Sequence, residues 1–235
     1  MVASVADRPK LLPMNFFDKA AAAPDTENFQ GFRYDINALR AFAVLAVIAY
    51  HFGLPKIAGG FVGVDVFFVI SGFLITSQIQ SALRAGKFSF QAFYVSRLRR
   101  IFPALAIVCI TSLVWGWFYV LPNDYRSFSR HALAALFFVS NIAFTGERGY
   151  FDIAVHGKPL LHTWSLSVEG QFYLFLPLYL GLIWRFGARR IILGLVAASL
   201  ASFAWCLFEA NHVSAFYLLP ARAWEFLAGG LLGCA

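Results

Sequence analysis

Apolar positions along the chain gather into long blocks separated by short polar or Gly/Pro-containing connections. Blocks near residues 36–54, 60–79, 101–121, 129–145, 164–184 and 190–209 approach the roughly 20 residues that carry a helix across a bilayer, and a seventh starts near Arg222. The pattern predicts an all-α, polytopic membrane helix bundle with six complete apolar helices and the start of a seventh. The 129–145 block is short and holds Ser140 and Asn141 near its end. It is therefore the candidate for a re-entrant segment that dips into the membrane and returns. Breaking off in an apolar run at Ala235 is what a piece of a longer chain would show. The first 32 residues mix Asp, Lys, Pro and an Ala run, without the basic, apolar and cleavage regions of a signal peptide. They are expected to form a disordered cytoplasmic tail ahead of a membrane domain over residues 33–235.

Composition sharpens this picture. Of the 235 residues, 60% are apolar and 13% charged, against roughly a quarter charged in ordinary globular domains, which excludes a soluble fold. The net charge of +7 does not point to nucleic acid, because the cations sit in a few connections between apolar blocks. From Ser77 to Arg100 the chain holds Arg84, Lys87, Arg97, Arg99 and Arg100 and no acid, so this connection is expected to face the cytoplasm, as is the N-terminus. Simple alternation then puts Arg185, Arg189 and Arg190 outside, against the same tendency. A non-crossing 129–145 block removes the conflict and leaves Gly149 to Thr163 outside. Cys109, Cys206 and Cys234 lie within apolar blocks with no metal-ligand spacing, so neither a zinc site nor a disulfide framework is indicated.

Several polar residues inside the blocks carry candidate chemistry. Arg40 and His51 lie eleven residues apart, which on a helix is within about 20° of one face and about 16 Å along the axis. A histidine at membrane depth suits proton transfer in acyl chemistry, although a snorkelling arginine and an interfacial histidine would look the same. Asp65 sits in an apolar run and needs a cation, for which Arg40 or His51 are candidates, and Gly60, Gly63 and Gly72 permit close helix packing. Arg97 and Arg100, ahead of Pro103, form a pair three apart that suits the phosphates of a donor such as acyl-coenzyme A, or simply topogenic charge. In LLHTWSLSVEGQFYLFLPL, residues His162, Trp164, Ser165, Glu169, Gln171 and Tyr173 cluster at the start of an apolar helix. Ser165, Glu169 and Tyr173 share a face, Trp164 suits stacking on a sugar ring, and Glu169 suits orienting a histidine or accepting sugar hydroxyls. An interfacial aromatic belt is the plainer reading. Arg222 and Glu225 form a possible i,i+3 pair.

DINALRAFAVLAVIAYH, GGFVGVDVFFVISGFLIT, SRLRRIFPAL and LLHTWSLSVEGQFYLFLPL, followed by FYLLPARAWEFLAGG, resemble in order the motifs of the acyltransferase 3 family of membrane O-acyltransferases. GYFD followed by PLLHTWS resembles its lipopolysaccharide O-antigen acetylase branch. The resemblance implies about ten transmembrane helices in the full domain, in a bacterial inner membrane, and no permanently bound cofactor. It implies acyl-coenzyme A, commonly acetyl-coenzyme A, as cytoplasmic donor and an extracytoplasmic cell-surface polysaccharide as acceptor. A C-terminal SGNH hydrolase-like domain is frequent in that branch. By motif, His51 is the catalytic residue with Arg40 its companion and Glu169 the carboxylate of the site, and Arg97 and Arg100 bind the donor. Asp65, Trp164, Ser165, Gln171 and Tyr173 are expected on the substrate, and Gly170 departs from a common second acid. The leading expectation is that His51 deprotonates a sugar hydroxyl for direct attack on the thioester, with an acyl-histidine relay as the other route. A glycan or lipid-linked precursor exporter is the alternative function.

Overall fold

The computed structural model describes residues 33–54, 57–146 and 158–234. Residues 1–32, with the expected tail, and residues 55–56, 147–157 and 235 fall outside the described residues. Nine helices and no strand are seen among them. They are α1 (Tyr34–His51), α2 (Gly63–Arg84, after a 3-10 turn Gly60–Val62), α3 (Phe90–Tyr119), α4 (Pro122–Leu136) and α5 (Ser140–Thr145). Then follow α6 (Thr163–Trp184), α7 (Ala188–Phe208), α8 (Val213–Tyr217) and α9 (Leu219–Leu232). Four stretches are long and apolar enough to cross a membrane: Gly60–Arg84, Phe90–Tyr119, Thr163–Trp184 and Ala188–Phe208. Of the six expected, α1 carries Asp35 and Arg40 and falls outside these four, and the 129–145 block is broken in two.

The break has a local cause. Phe138 adopts φ of 56°, the left-handed region that costs an L-residue energy, and it divides α4 from α5. Gln171 of α6 donates to the Phe138 carbonyl at 2.9 Å and to Asn141 Oδ1 at 2.8 Å, while Asn141 Nδ2 donates to the Tyr217 carbonyl at 3.1 Å. These bonds take up polar groups that the break releases. Ser140 and Thr163 add a buried hydroxyl chain, with Ser140 Oγ 2.7 Å from Ser167 Oγ and accepting from Thr163 at 3.0 Å. Pro103, expected to limit a helix start, lies inside α3 instead, so Arg97 and Arg100 are helical. A proline removes only one intrahelical hydrogen bond, and the 30-residue helix absorbs it.

The core forms where α2, α6 and α9 run side by side. Phe226 lies between Phe68 and Phe172, stacked on each at 4.4 Å. Glycines allow the backbones to meet: a Cβ on Gly72 would stand 1.8 Å from the Phe226 carbonyl oxygen, and one on Gly229 1.9 Å from that of Val69. Gly60 and Gly63 do the same against Ala46 and Ala43 of α1. The outer helices α3 and α7 present Ile107, Val114, Trp117, Leu193 and Leu200 outward, the composition expected of a lipid-facing surface.

Chain direction also resolves the charge conflict. The start of α6 packs beside the start of α2 through Phe68 and Trp164, so α4 and α5 do not carry the chain to the other end. The end of α6 and start of α7 then meet the end of α2, around a cavity lined by Gln80, Arg84, Trp184, Gly187 and Ala188. Arg185, Arg189 and Arg190 consequently share one end of the bundle with Arg84 and Lys87.

Candidate functional site

Two sites are spaced along α1, one at Arg40 in its first half and one at its last residue. At the basic end a cavity of about 420 Å³ is lined by Arg40 of α1, Ser71 and Gln78 of α2, Arg97 and Arg100 of α3, and Glu169 and Tyr173 of α6. Arg97 donates to Gln78 Oε1 and stands over the rings of Phe93 and Tyr173 at 5.5 and 5.9 Å. Its Nε is buried with no hydrogen-bond partner among the described residues. A buried N–H of this kind needs an acceptor, and three guanidinium groups outnumber the one carboxylate in the lining. Glu169 Oε1 accepts from Ser71 Oγ and Tyr173 OH. Chemically this is an anion site with an internal polar wall.

His51, the last residue of α1, stands at the other end. Its Nδ1 lies 2.7 Å from the Val47 carbonyl oxygen. A carbonyl only accepts, so Nδ1 donates, and in the neutral form of such a ring Nε2 is the nitrogen with the lone pair. The His162 ring, at the start of α6, stands edge-on to it with centroids 4.6 Å apart. His51 also lines a notch of about 10 Å³ with Asp65, Trp164, Phe216 and Arg222. Arg222 Nη1 donates to Asp65 at 3.0 Å and to Glu225 at 2.7 Å, and its Nε to the Phe216 carbonyl at 3.1 Å. The cation facing Asp65 is therefore Arg222, neither Arg40 nor His51, and the anticipated pair of Arg222 with Glu225 is present.

The other singled-out residues divide unevenly. Arg40, Arg97, Arg100, Glu169 and Tyr173 come together at the basic end, so Glu169 sits with the arginines and not in the notch that His51 lines. Asp65 and Trp164 stand at the histidine end. Trp164 is 3% exposed, packed by Phe216 at 4.6 Å and by the edge of Phe68, so it forms wall more than open stacking surface. Gln171 lines neither cavity and belongs to the network at the α4–α5 break. Ser165 lines neither as well; its hydroxyl donates to the His162 carbonyl at 3.2 Å. A Cβ on Gly170 would lie 2.6 Å from the Phe138 ring, which accounts for glycine where an acid is common in the resembling family. Sequence reasoning misses Ser71 and Gln78, although two polar residues seven apart in an apolar helix share a face and mark a cavity wall. Among the described residues no three His, Cys, Asp or Glu side chains are placed to hold a metal.

Comparison with known proteins identifies the family. The family described as an acyltransferase domain matches residues 33–235. The chain is 36% identical over 203 residues to BcsY of Komagataeibacter xylinus, named as a putative membrane-bound transacylase, covering 85% of this chain and 50% of that protein. It is 41% identical over 171 residues to O-acetyltransferase OatA of Staphylococcus aureus, covering 71% of this chain and 28% of that one. It is 33% identical over 202 residues to peptidoglycan O-acetyltransferase OatA of Listeria monocytogenes, covering 83% and 32%. The chain thus spans half or less of these relatives' lengths. No solved structure matches it.

Proposed function

Because this chain belongs to the acyltransferase family whose domain covers residues 33–235, we propose that it forms the membrane portion of an O-acetyltransferase acting on a cell-surface polysaccharide. The donor is acyl-coenzyme A, with acetyl as the acyl group. Its phosphates meet Arg97, Arg100 and Arg40 in the basic cavity, where the buried Arg97 Nε supplies an unsatisfied donor. The cations collected at that end favour a cytoplasmic orientation for it and an extracytoplasmic one for His51, in a bacterial inner membrane. The relatives' names bring the acceptor class to this chain: peptidoglycan is the named target of one, and a glycan hydroxyl is the shared chemistry.

The observation that carries this reading is α1 itself, one helix with Arg40 in one site and His51 in the other. The acyl group has to travel about 16 Å along that face to reach the Nε2 lone pair, which is basic toward a hydroxyl and nucleophilic toward a thioester. The test uses the full-length protein in proteoliposomes with labelled acetyl-coenzyme A and a glycan acceptor. His51→Gln is expected to lower transfer by at least about 100-fold with donor binding intact. Undiminished transfer by a folded His51→Gln protein would refute the assignment.

A further inference from the structure

His162 is the group at the histidine end to which the reading above gives no task. Its ring stands at 89° to that of His51 with centroids 4.6 Å apart, and both residues are exposed, so a large acceptor can approach them. In the notch beside His51, Asp65 of α2 and Arg222 of α9 are bonded to each other. Desolvation by its surroundings and then the neighbouring His51 hold the His162 imidazole below the ordinary histidine value, which favours its neutral form, the form that can accept a proton.

The geometry points to a double displacement shared by two imidazoles, in which His51 carries the acyl group and His162 is the base that activates the acceptor hydroxyl. This rests on the reading of His51 as the transfer residue. In the first step the His51 Nε2 lone pair attacks the thioester carbon, and the C–S bond breaks. The thiolate leaves with the electron pair and takes a proton from water. The acylated ring is cationic, and the Nδ1–H donated to Val47 delocalises that charge onto a carbonyl dipole. In the second step the acceptor hydroxyl gives its proton to His162 as its oxygen bonds the acyl carbon. The C–Nε2 bond breaks and its electron pair returns to His51, after which His162 releases the proton to water. One thioester and one alcohol become one thiol and one ester. An acylated His51 has no lone pair left for the hydroxyl proton, and a second imidazole in ring contact supplies it. Direct transfer would need only one.

The experiment follows acyl-protein in the full-length enzyme with labelled acetyl-coenzyme A, first without and then with a glycan acceptor, using hydroxylamine to capture acyl-imidazole. Wild type should form acyl-protein that the acceptor discharges. His162→Gln should form it equally well and discharge it at least about 100-fold more slowly, with exogenous imidazole restoring discharge to His162→Ala. His51→Gln should form none. Wild-type discharge rates in His162→Gln, or wild-type turnover with no acyl-protein formed, would overturn the two-imidazole scheme and leave His51 as a lone base. Normal transfer by His51→Gln would instead remove the underlying reading.

Discussion

The basic-end cavity and the histidine-end notch are built from similar residue types and held in opposite ways. At the basic end Arg40, Arg97 and Arg100 face about 420 Å³ of open space with cationic charge in surplus, and Arg97 is steadied by Gln78 and by two aromatic rings. At the histidine end Arg222 has two carboxylates and a carbonyl, contributed by α2, α8 and α9, and the space beside it is about 10 Å³. Uncompensated charge in a roomy cavity suits a flexible, multiply anionic donor. Compensated charge in a tight corner suits fixing a few reactive atoms, because the groups there cannot reorient. The same residue type, arginine, is thus ligand-seeking in one region and architectural in the other.

That contrast is broken most sharply at Arg222. Arg222→Ala strands Asp65 and the almost fully buried Glu225, and breaking such a pair costs about 3–5 kcal/mol. A large fall in the thermal unfolding midpoint of the detergent-solubilised protein is expected, and a wild-type midpoint would show that the notch is not locked as described. Arg97→Ala should act oppositely. It removes a charge-assisted contact worth about 1.5–3 kcal/mol to the donor, so coenzyme A binding by calorimetry should weaken roughly 10- to 100-fold with little change in melting. Arg97→Lys should recover only part of the affinity, since an ammonium cannot reproduce the guanidinium fork, and the wild-type affinity should fall with added salt. Coenzyme A affinity equal in Arg97→Ala and wild type would detach the donor from this cavity.

Much of this architecture is legible in the amino-acid sequence. Apolar block length locates α2, α3, α6 and α7 to within a few residues at most ends, since lipid forces every backbone group into helical hydrogen bonds. Eleven-residue spacing places Arg40 and His51 on one face. The extension of α3 back to Phe90 is hidden by Pro103, which reads as a helix start and here is merely tolerated. Partner choice is less legible. Asp65 finds its cation 157 residues away, and nothing local to either residue encodes that distance. Glu169 falls in with the histidine end by its neighbours in sequence. The five-residue step from Trp164 already carries it about 7.5 Å down the axis, enough to change cavities. His162 is visible in a polar cluster, but its contact with His51 depends on how α1 and α6 pack, which periodicity does not report.

Gln171 gives the smallest and most discriminating expected effect. It lies between the two regions, in the same sequence cluster as residues of both, and by motif it is expected on the substrate. In the structure its amide donates to the Phe138 carbonyl and to Asn141, and accepts from Asn141 Nδ2 at 3.3 Å, where the α4–α5 break would otherwise leave buried polar groups unpaired. Gln171→Leu keeps the size of the side chain and removes all three bonds. An unsatisfied buried carbonyl costs about 1–3 kcal/mol, so unfolding should come a few degrees earlier while KM for the acceptor, measured on the folded fraction, stays at the wild-type value. A residue that held a sugar would show the reverse, with KM raised several-fold at unchanged stability. Gln171→Glu separates the two further, because a carboxylate cannot donate to the Phe138 carbonyl and so should destabilise at least as much as leucine, whereas toward sugar hydroxyls it would remain a competent acceptor.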